Sequence, residues 1–232
     1  MEKAIIYQIF TRLFGNTNTT RKHNGTLTDN GCGKLNAFTP AVLRRIKELG
    51  ATHVWYTGVI RHATTTDYTR YGIPRQHPAV VKGNAGSPYA ITDYYDIDPD
   101  LATNVEKRMN EFESLVKRTH KAGLKMIIDF VPNHVARQYK STAKPKGIAD
   151  FGENDNTGMQ FSPQNNFYYC PEQSFAADID LYHGEELPYE EFPAKATGND
   201  CFGNRPGRND WYETVKLNYG VDYCDAGGVS TH

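Results

Sequence analysis

The chain has 232 residues, a formal net charge of −1 and 23% charged residues, which is ordinary for a soluble globular protein. A charge so close to zero argues against a nucleic acid or an anionic membrane as partner. No apolar run approaches the roughly 20 residues of a membrane-spanning helix. The N-terminus, MEKAIIYQIF, enters a strand-like pattern at once and leaves no room for a signal peptide. We therefore expect a cytoplasmic protein, or a periplasmic or extracellular one if the start is trimmed.

Three short apolar runs predict β-strands, and their bounds are 4–10, 52–60 and 125–131. Each run is nearly continuous and rich in β-branched and aromatic residues, as is typical of strands buried on both faces. Between them, Thr39 and Pro40 start a helix that Gly50 ends, and a second helix runs from about Asn104 to Gly123. This β-α-β-α-β order predicts a parallel sheet with right-handed crossovers.

The connections that follow the strands are much longer than those that follow the helices. Loops of more than about 15 residues without secondary structure are usually functional or hold a small subdomain. All of these long loops leave the carboxyl ends of the strands, which is the edge that carries the site in α/β proteins. From Ala136 the chain is rich in Gly, Pro, Asn and Tyr, which predicts an irregular excursion with short strands.

The four cysteines, Cys32, Cys170, Cys201 and Cys224, form no C-x-x-C pair and fit no zinc-site spacing. Free thiols are the simpler expectation. One disulfide among Cys170, Cys201 and Cys224 is the alternative if the protein is exported.

Two motifs at the predicted strand ends carry a resemblance to a known family. DFVPNH (129–134) resembles the D-x-x-x-N-H signature that ends the third barrel strand of the alpha-amylase family of glycoside hydrolases. SPYAITDYYDIDPDLAT (87–103) resembles the segment in the loop after that family's second strand. No Walker loop, G-x-G-x-x-G, H-E-x-x-H or G-x-S-x-G competes with this interpretation. The resemblance implies the first three strands of a (β/α)₈ barrel in residues 1–135, and an excursion with the lead-in to strand four in residues 136–232.

The resemblance implies roles for three residues at this edge. Tyr89 matches the tyrosine that stacks on the sugar at the cleavage subsite, and His134 matches the histidine that hydrogen-bonds the same sugar. Asp129 matches an aspartate that positions the site by pairing with an arginine on strand four, so it is not the nucleophile. From the residues alone, each has a plainer interpretation: a core tyrosine, a structural histidine and a turn aspartate.

The resemblance also raises the question of calcium. Asn133 matches a residue whose amide oxygen, a hard ligand, binds calcium in many members of the family. However, TVKLNYG (214–220) places Lys216 where the family has a calcium-ligating aspartate. A fixed positive charge there opposes a bound cation. The resemblance thus leaves calcium possible as a cofactor, with Asn133 as a ligand, but Lys216 argues against the usual calcium site. Without calcium, Asn133 would serve as a hydrogen-bonding amide.

The family cleaves glycosidic bonds with retention, through two carboxyl groups about 5 Å apart. We expect both acids to lie beyond His232, because no R-x-D appears on an apolar strand. The sequence thus predicts the N-terminal part of an enzyme acting on starch or maltooligosaccharides. This chain would supply sugar contacts, be inactive alone, and need the remainder of the same polypeptide to complete the barrel. A non-catalytic carbohydrate-binding homologue is the alternative, and a barrel enzyme for phosphorylated substrates is a weaker one. Open strand edges also predict poor solubility of the isolated chain.

Overall fold

The computed structural model describes residues 3–177, 188–223 and 230–231. In chain order the helices and strands are β1 (Ile6–Phe10), α1 (Leu27–Asn30), α2 (Pro40–Glu48), β2 (His53–Thr57), β3 (Ile60–His62), β4 (Ile91–Ile97), α3 (Arg108–Lys121), β5 (Lys125–Ile128), β6 (His134–Ala136), β7 (Tyr169–Cys170), β8 (Ala194–Lys195), β9 (Thr214–Lys216), β10 (Val221–Asp222) and β11 (Ser230–Thr231). Short 3₁₀ turns occupy Leu35–Ala37, Thr69–Tyr71, Pro78–Val80, Pro99–Leu101 and Val105–Lys107.

The central sheet is parallel, with the strand order β1-β2-β5. The helices α2 and α3 provide the two crossovers, so the predicted β-α-β-α-β arrangement is confirmed. Local signals explain their ends: the Thr39 hydroxyl accepts from Val42 N at the start of α2, and Pro40 occupies the first turn. Gly50 and Gly123 adopt positive φ just past α2 and α3, a conformation that glycine reaches without steric cost.

The prediction that the three strands are buried on both faces is wrong for β1 and β5. One face packs on the helices through a core that includes Ile9, Val54, Tyr56, Leu43 and Leu115. On the other face, side chains of the two outer strands are exposed, and Ile6 reaches 51%. No described element covers that face. The apolar pattern showed that these residues belong to a strand, but it could not show whether both faces of the strand are covered.

The predicted strand 52–60 is interrupted, which corrects its boundary. It ends at Thr57 because Gly58 adopts φ +77°, and the chain resumes as β3 in a different sheet. β3 pairs antiparallel with β4 through an irregular register. The long loop after the second strand therefore contains a small two-stranded unit.

A cluster of buried charged and polar groups lies where β3 and β4 end, and we call it the His62 network: Arg12, His62, Tyr68, Asp98 and Asp100. His62 Nδ1 lies 2.7 Å from Asp98 Oδ2, and Arg12 Nη2 lies 2.7 Å from Asp100 Oδ2. The Tyr68 hydroxyl donates to Asp100 Oδ1 at 2.6 Å. Both carboxylates are fully buried, and burying a carboxylate is unfavourable without cationic and hydrogen-bonding partners such as these.

The excursion from Ala136 builds a second small core, as its aromatic content suggested. β6 pairs antiparallel with β9, and β7 with β8. Between the two pairs pack Val135, Phe167, Tyr169, Val215 and Leu217. Cys32, Cys170 and Cys201 are free thiols, as expected, while Cys224 lies outside the described residues. Of the helices described, none has the length and apolar character needed to cross a bilayer.

Candidate functional site

Asp129 follows directly on β5 and is held by the neighbouring strand. Trp55 Nε1 donates to Asp129 Oδ1 at 2.6 Å, and Gly58 N donates to Asp129 Oδ2 at 2.7 Å. Each carboxylate oxygen therefore accepts one strong hydrogen bond from the end of β2. This fixes the carboxylate at the carboxyl edge of the sheet. Its predicted arginine partner on strand four is not among the described contacts, and that pairing stays a prediction.

Gly58 is needed here for two reasons. Its φ of +77° is costly for other residues, and an added Cβ would lie 2.8 Å from Pro88 Cβ. Pro88 directly precedes Tyr89 in the chain. The close approach of Gly58 to Pro88 thus brings the Tyr89 loop against the end of β2.

Tyr89 presents its ring to solvent at this edge, with 41% of the residue exposed. Partial burial first, and then the negative charge of Asp129, raise the pKa of Tyr89. The phenol therefore stays protonated at neutral pH and lies within electrostatic reach of Asp129. An exposed ring with one polar edge is the kind of surface on which a sugar ring packs.

His134 begins β6 and is buried. Its Nδ1 lies 3.0 Å from the Asn133 amide nitrogen, which can only donate, so the ring proton belongs on Nε2. Burial and the positive charge of Lys216 lower the pKa of His134, while a hydrogen bond to the Tyr89 backbone opposes them. The imidazole is thus uncharged at neutral pH. The structure brings together the two residues predicted to contact the same sugar.

Asn133 does not present itself as a calcium ligand. Its Nδ2 donates to the Gly198 carbonyl at 2.7 Å and lies 3.0 Å from His134 Nδ1, so the amide acts here as a hydrogen-bond donor. Lys216 pairs with His134 across the β6–β9 ladder, next to Asn133, and its Nζ lies 2.5 Å from Asp200 Oδ1. Within the described part of the chain, no group of three or more His, Cys, Asp or Glu residues could hold a metal ion. These residues do not fit calcium.

Sequence reasoning missed the residues that hold the site together. Trp55 and Gly58 fix Asp129, and the WYTG run at the end of the second predicted strand was the available signal. Trp211 packs edge-on against the His134 ring, with centroids 5.2 Å apart. Gly198 lies so close that an added Cβ would be 2.8 Å from His134 Cβ. Neither Trp211 nor Gly198 could be linked to His134, because both lie far along an irregular segment.

Beside Phe10, at the end of β1, the same edge opens into a groove of about 580 Å³. Its walls carry amide, hydroxyl and guanidinium groups, among them Arg12, Asn16, Asn30 and Asn84. Such groups donate and accept hydrogen bonds in the manner that hydroxyl-rich ligands require. The arrangement as a whole offers an aromatic face, a neutral imidazole and a fixed carboxylate on one edge of a sheet. It is equipped to bind and orient a neutral polyhydroxylated ligand.

Comparison with known proteins agrees with this chemistry. The family model described as "Alpha amylase, catalytic domain" matches residues 8–188. Trehalose-6-phosphate hydrolase of Bacillus subtilis is 32% identical over 139 residues, which are 60% of this chain and 18% of that protein. Maltase A2 of Drosophila melanogaster is 28% identical over 174 residues, which are 71% of this chain and 24% of that protein.

Among solved structures, an alpha-amylase from Lactobacillus plantarum matches with a TM-score of 0.40 and 28% identity. That match covers 60% of this chain and 24% of the other. The chain thus spans about a fifth to a quarter of the length of these relatives.

Proposed function

Since the chain belongs to the alpha-amylase catalytic-domain family, we propose that the full-length protein containing it is a retaining glycoside hydrolase that acts on α-glucans. This chain supplies the sugar-binding wall of the active site. Tyr89 stacks on the sugar at the cleavage subsite, His134 hydrogen-bonds the same sugar, and Asp129 positions the floor of the site. The observation that carries the proposal is the geometry around Gly58, whose amide donates to Asp129 Oδ2 and whose backbone lies against Pro88, the neighbour of Tyr89.

Each of the three residues has a distinct task in this proposal. The Tyr89 ring excludes water from one face of the sugar, which strengthens the polar contacts around it. The uncharged His134 has Nε2 as its only ring donor, and a sugar hydroxyl or ring oxygen that replaces the Tyr89 backbone would accept from it. Asp129 is held by hydrogen bonds from Trp55 and Gly58, and it is proposed to orient a cationic side chain without taking part in proton transfer.

The chain alone is proposed not to hydrolyse glucans, since none of its assigned residues is a nucleophile or a general acid. The exposed face of β1 and β5 supports the view that the remainder of the polypeptide completes the barrel against it. Incubation of the purified chain with maltooligosaccharides should release no new reducing ends. Release that persists in the Asp129→Asn variant would contradict this assignment.

The stacking role is tested by Tyr89→Ala and Tyr89→Phe in the full-length protein. Loss of the ring should lower kcat/KM for short maltooligosaccharides by about 10- to 100-fold, because it removes both apolar burial and stacking. Tyr89→Phe keeps the ring and should stay within about threefold of the wild type.

Tyr95→Ala is the matched control, since Tyr95 is a tyrosine of similar exposure, 44%, on β4. Equal losses for Tyr89→Ala and Tyr95→Ala would rule out the stacking role. Glucan binding by the wild type without any turnover would support the non-catalytic alternative instead.

A further inference from the structure

Lys216 is a nearly buried cation in the second small core. It ends β9, stands opposite His134 in the β6–β9 ladder, and is only 8% exposed. Its Nζ lies 2.5 Å from Asp200 Oδ1 and 5.4 Å from the centroid of the Tyr223 ring. Burying an ammonium group is unfavourable unless a negative charge or an aromatic face replaces its water. Lys216 has both of these partners.

The carboxylate partner lies in a segment that packs closely on β6 and β9. We call this segment, residues 197–201, the Asp200 loop. Asp200 adopts φ +68°, which is sparsely populated for a residue other than glycine. An added Cβ on Gly198 would lie 2.6 Å from Thr214 Oγ1 and 2.8 Å from His134 Cβ. The loop backbone therefore rests directly on the His134 side chain.

Two oxygen atoms of this junction already have hydrogen-bond partners. The Gly198 carbonyl accepts from Asn133 Nδ2, and the Thr197 hydroxyl donates to Asn199 Oδ1 while accepting from Cys201 N. The junction thus has one cation of its own, with its charge balanced by Asp200. A divalent ion brought in beside Lys216 would meet strong repulsion at short range.

We propose that the Lys216 ammonium is the built-in cation of this junction: it holds the Asp200 loop against His134 and makes the sugar-binding wall independent of calcium. The residues at which a metal would have been expected do not fit one, and their arrangement around an ammonium group supplies the reason. Loop attachment then depends on one ion pair within the chain and not on the metal content of the medium.

The test is amide hydrogen exchange of the Asp200 loop in the full 232-residue chain. The amide of Gly198 donates to Thr214 Oγ1 on β9, so its protection reports attachment of the loop, while the amides of Asp200 and Cys201 bond to Thr197 and report its internal order. In the wild type, millimolar CaCl₂ and excess EDTA should give exchange rates within about twofold of each other. Lys216→Met should accelerate exchange by about tenfold or more, because Asp200 then loses its partner. Lys140→Met, which removes an exposed ion pair with Asp150, should leave the loop unchanged.

Lys216→Asp tests the other direction. This variant places a second carboxylate beside Asp200 and the Gly198 carbonyl, a set of hard oxygen donors. Its loop should exchange fast in EDTA and slow down again with CaCl₂. If the variants do not fold, calorimetric titration of the wild type with CaCl₂ still decides the matter.

Three results would overturn the proposal. The first is a calcium-binding isotherm in the wild type. The second is wild-type loop exchange that EDTA accelerates. The third is a Lys216→Met loop as protected as that of Lys140→Met.

Discussion

His62 and His134 are both buried histidines at strand ends, yet their surroundings set them in opposite charge states. His62 faces the carboxylate of fully buried Asp98. Burial by itself lowers the pKa of His62, but the charge and the hydrogen bond of Asp98 outweigh it and raise the pKa. Among the described residues no carboxylate pairs with the His134 ring, and burial together with the nearby Lys216 lowers the pKa of His134. Burial lowers the pKa of both histidines, so the charged group beside each ring decides whether the imidazole is protonated.

This difference matches what each region does. The His62 network joins distant segments of the barrel part through ion pairs whose carboxylates, Asp98 and Asp100, are fully buried. His62 is also buried, while the Arg12 side chain keeps 15% exposure at the wall of the groove. At the other histidine the imidazole and the Tyr89 phenol are uncharged at neutral pH, and the Tyr89 ring is exposed, which suits a ligand without charge. In the first region a charged histidine serves cohesion, and in the second an uncharged histidine is proposed to serve recognition.

The largest expected effect is in the His62 network. His62→Ala removes the cation that faces Asp98 and leaves a fully buried carboxylate without its partner. Loss of one member of a buried pair costs about 3–5 kcal/mol of unfolding free energy. His134→Ala leaves no charge unpaired, and should cost about 1–2 kcal/mol. Urea denaturation followed by circular dichroism measures both. Equal losses would show that the two histidines do not differ in the way proposed.

Gly58→Ala probes the recognition region. Alanine at this position would be strained at φ +77°, and its Cβ would lie 2.8 Å from Pro88 Cβ. Gly72→Ala is the matched control, because Gly72 has φ +74° and open space around the added Cβ. We expect the free energy of unfolding, measured by urea denaturation, to fall by about 1 kcal/mol for Gly72→Ala and by about 2–3 kcal/mol for Gly58→Ala.

The difference between the two glycine variants isolates the contact with Pro88. Because that contact places Tyr89, Gly58→Ala should also weaken maltooligosaccharide binding by the full-length protein, whereas Gly72→Ala should not. Identical stabilities and affinities would mean that the Pro88 loop adapts at no cost.

The regular elements of the fold could be predicted because their signals are local. The three parallel strands and the helices α2 and α3 are written in apolar runs and in caps within a few residues. The His62 network could not be predicted in this way. Asp93, Asp96, Asp98 and Asp100 give their segment the composition of an exposed loop. They are buried because Arg12, Arg61 and His62, more than thirty positions earlier, supply the charges.

The candidate site divides along the same line. Tyr89, Asp129 and His134 were predicted because they fall in contiguous motifs that carry a family resemblance. Their supports were missed: Trp55 and Gly58 lie on another strand, and Trp211 and Gly198 lie far downstream. The effect of Lys216 was foreseen only as an obstacle to calcium. Its pairing with Asp200 depends on a loop conformation that no local pattern encodes.

The smallest effect is also the most direct test of the comparison, because the two histidines should give stability opposite dependences on pH. The pKa of His134 is lowered below its usual 6.5, so between its folded pKa and 6.5 the unfolded chain binds more protons. Its contribution is therefore present above pH 6.5 and is lost as the pH falls. The pKa of His62 is raised above 6.5, so its contribution is full below 6.5 and is lost as the pH rises through the folded pKa.

Single variants separate these two contributions from all other titrations. The difference in unfolding free energy between wild type and His134→Gln should shrink as the pH falls below 6.5. The histidine of the unfolded wild type then binds protons more readily than that of the folded protein, whereas glutamine does not titrate. The difference between wild type and His62→Gln should shrink as the pH rises above 6.5. Urea unfolding across a pH range of roughly 5 to 8, where histidine titrates, provides both curves. If the two stability differences changed with pH in the same direction, Asp98 would not set the charge of His62, and the proposed contrast between the two regions would be wrong.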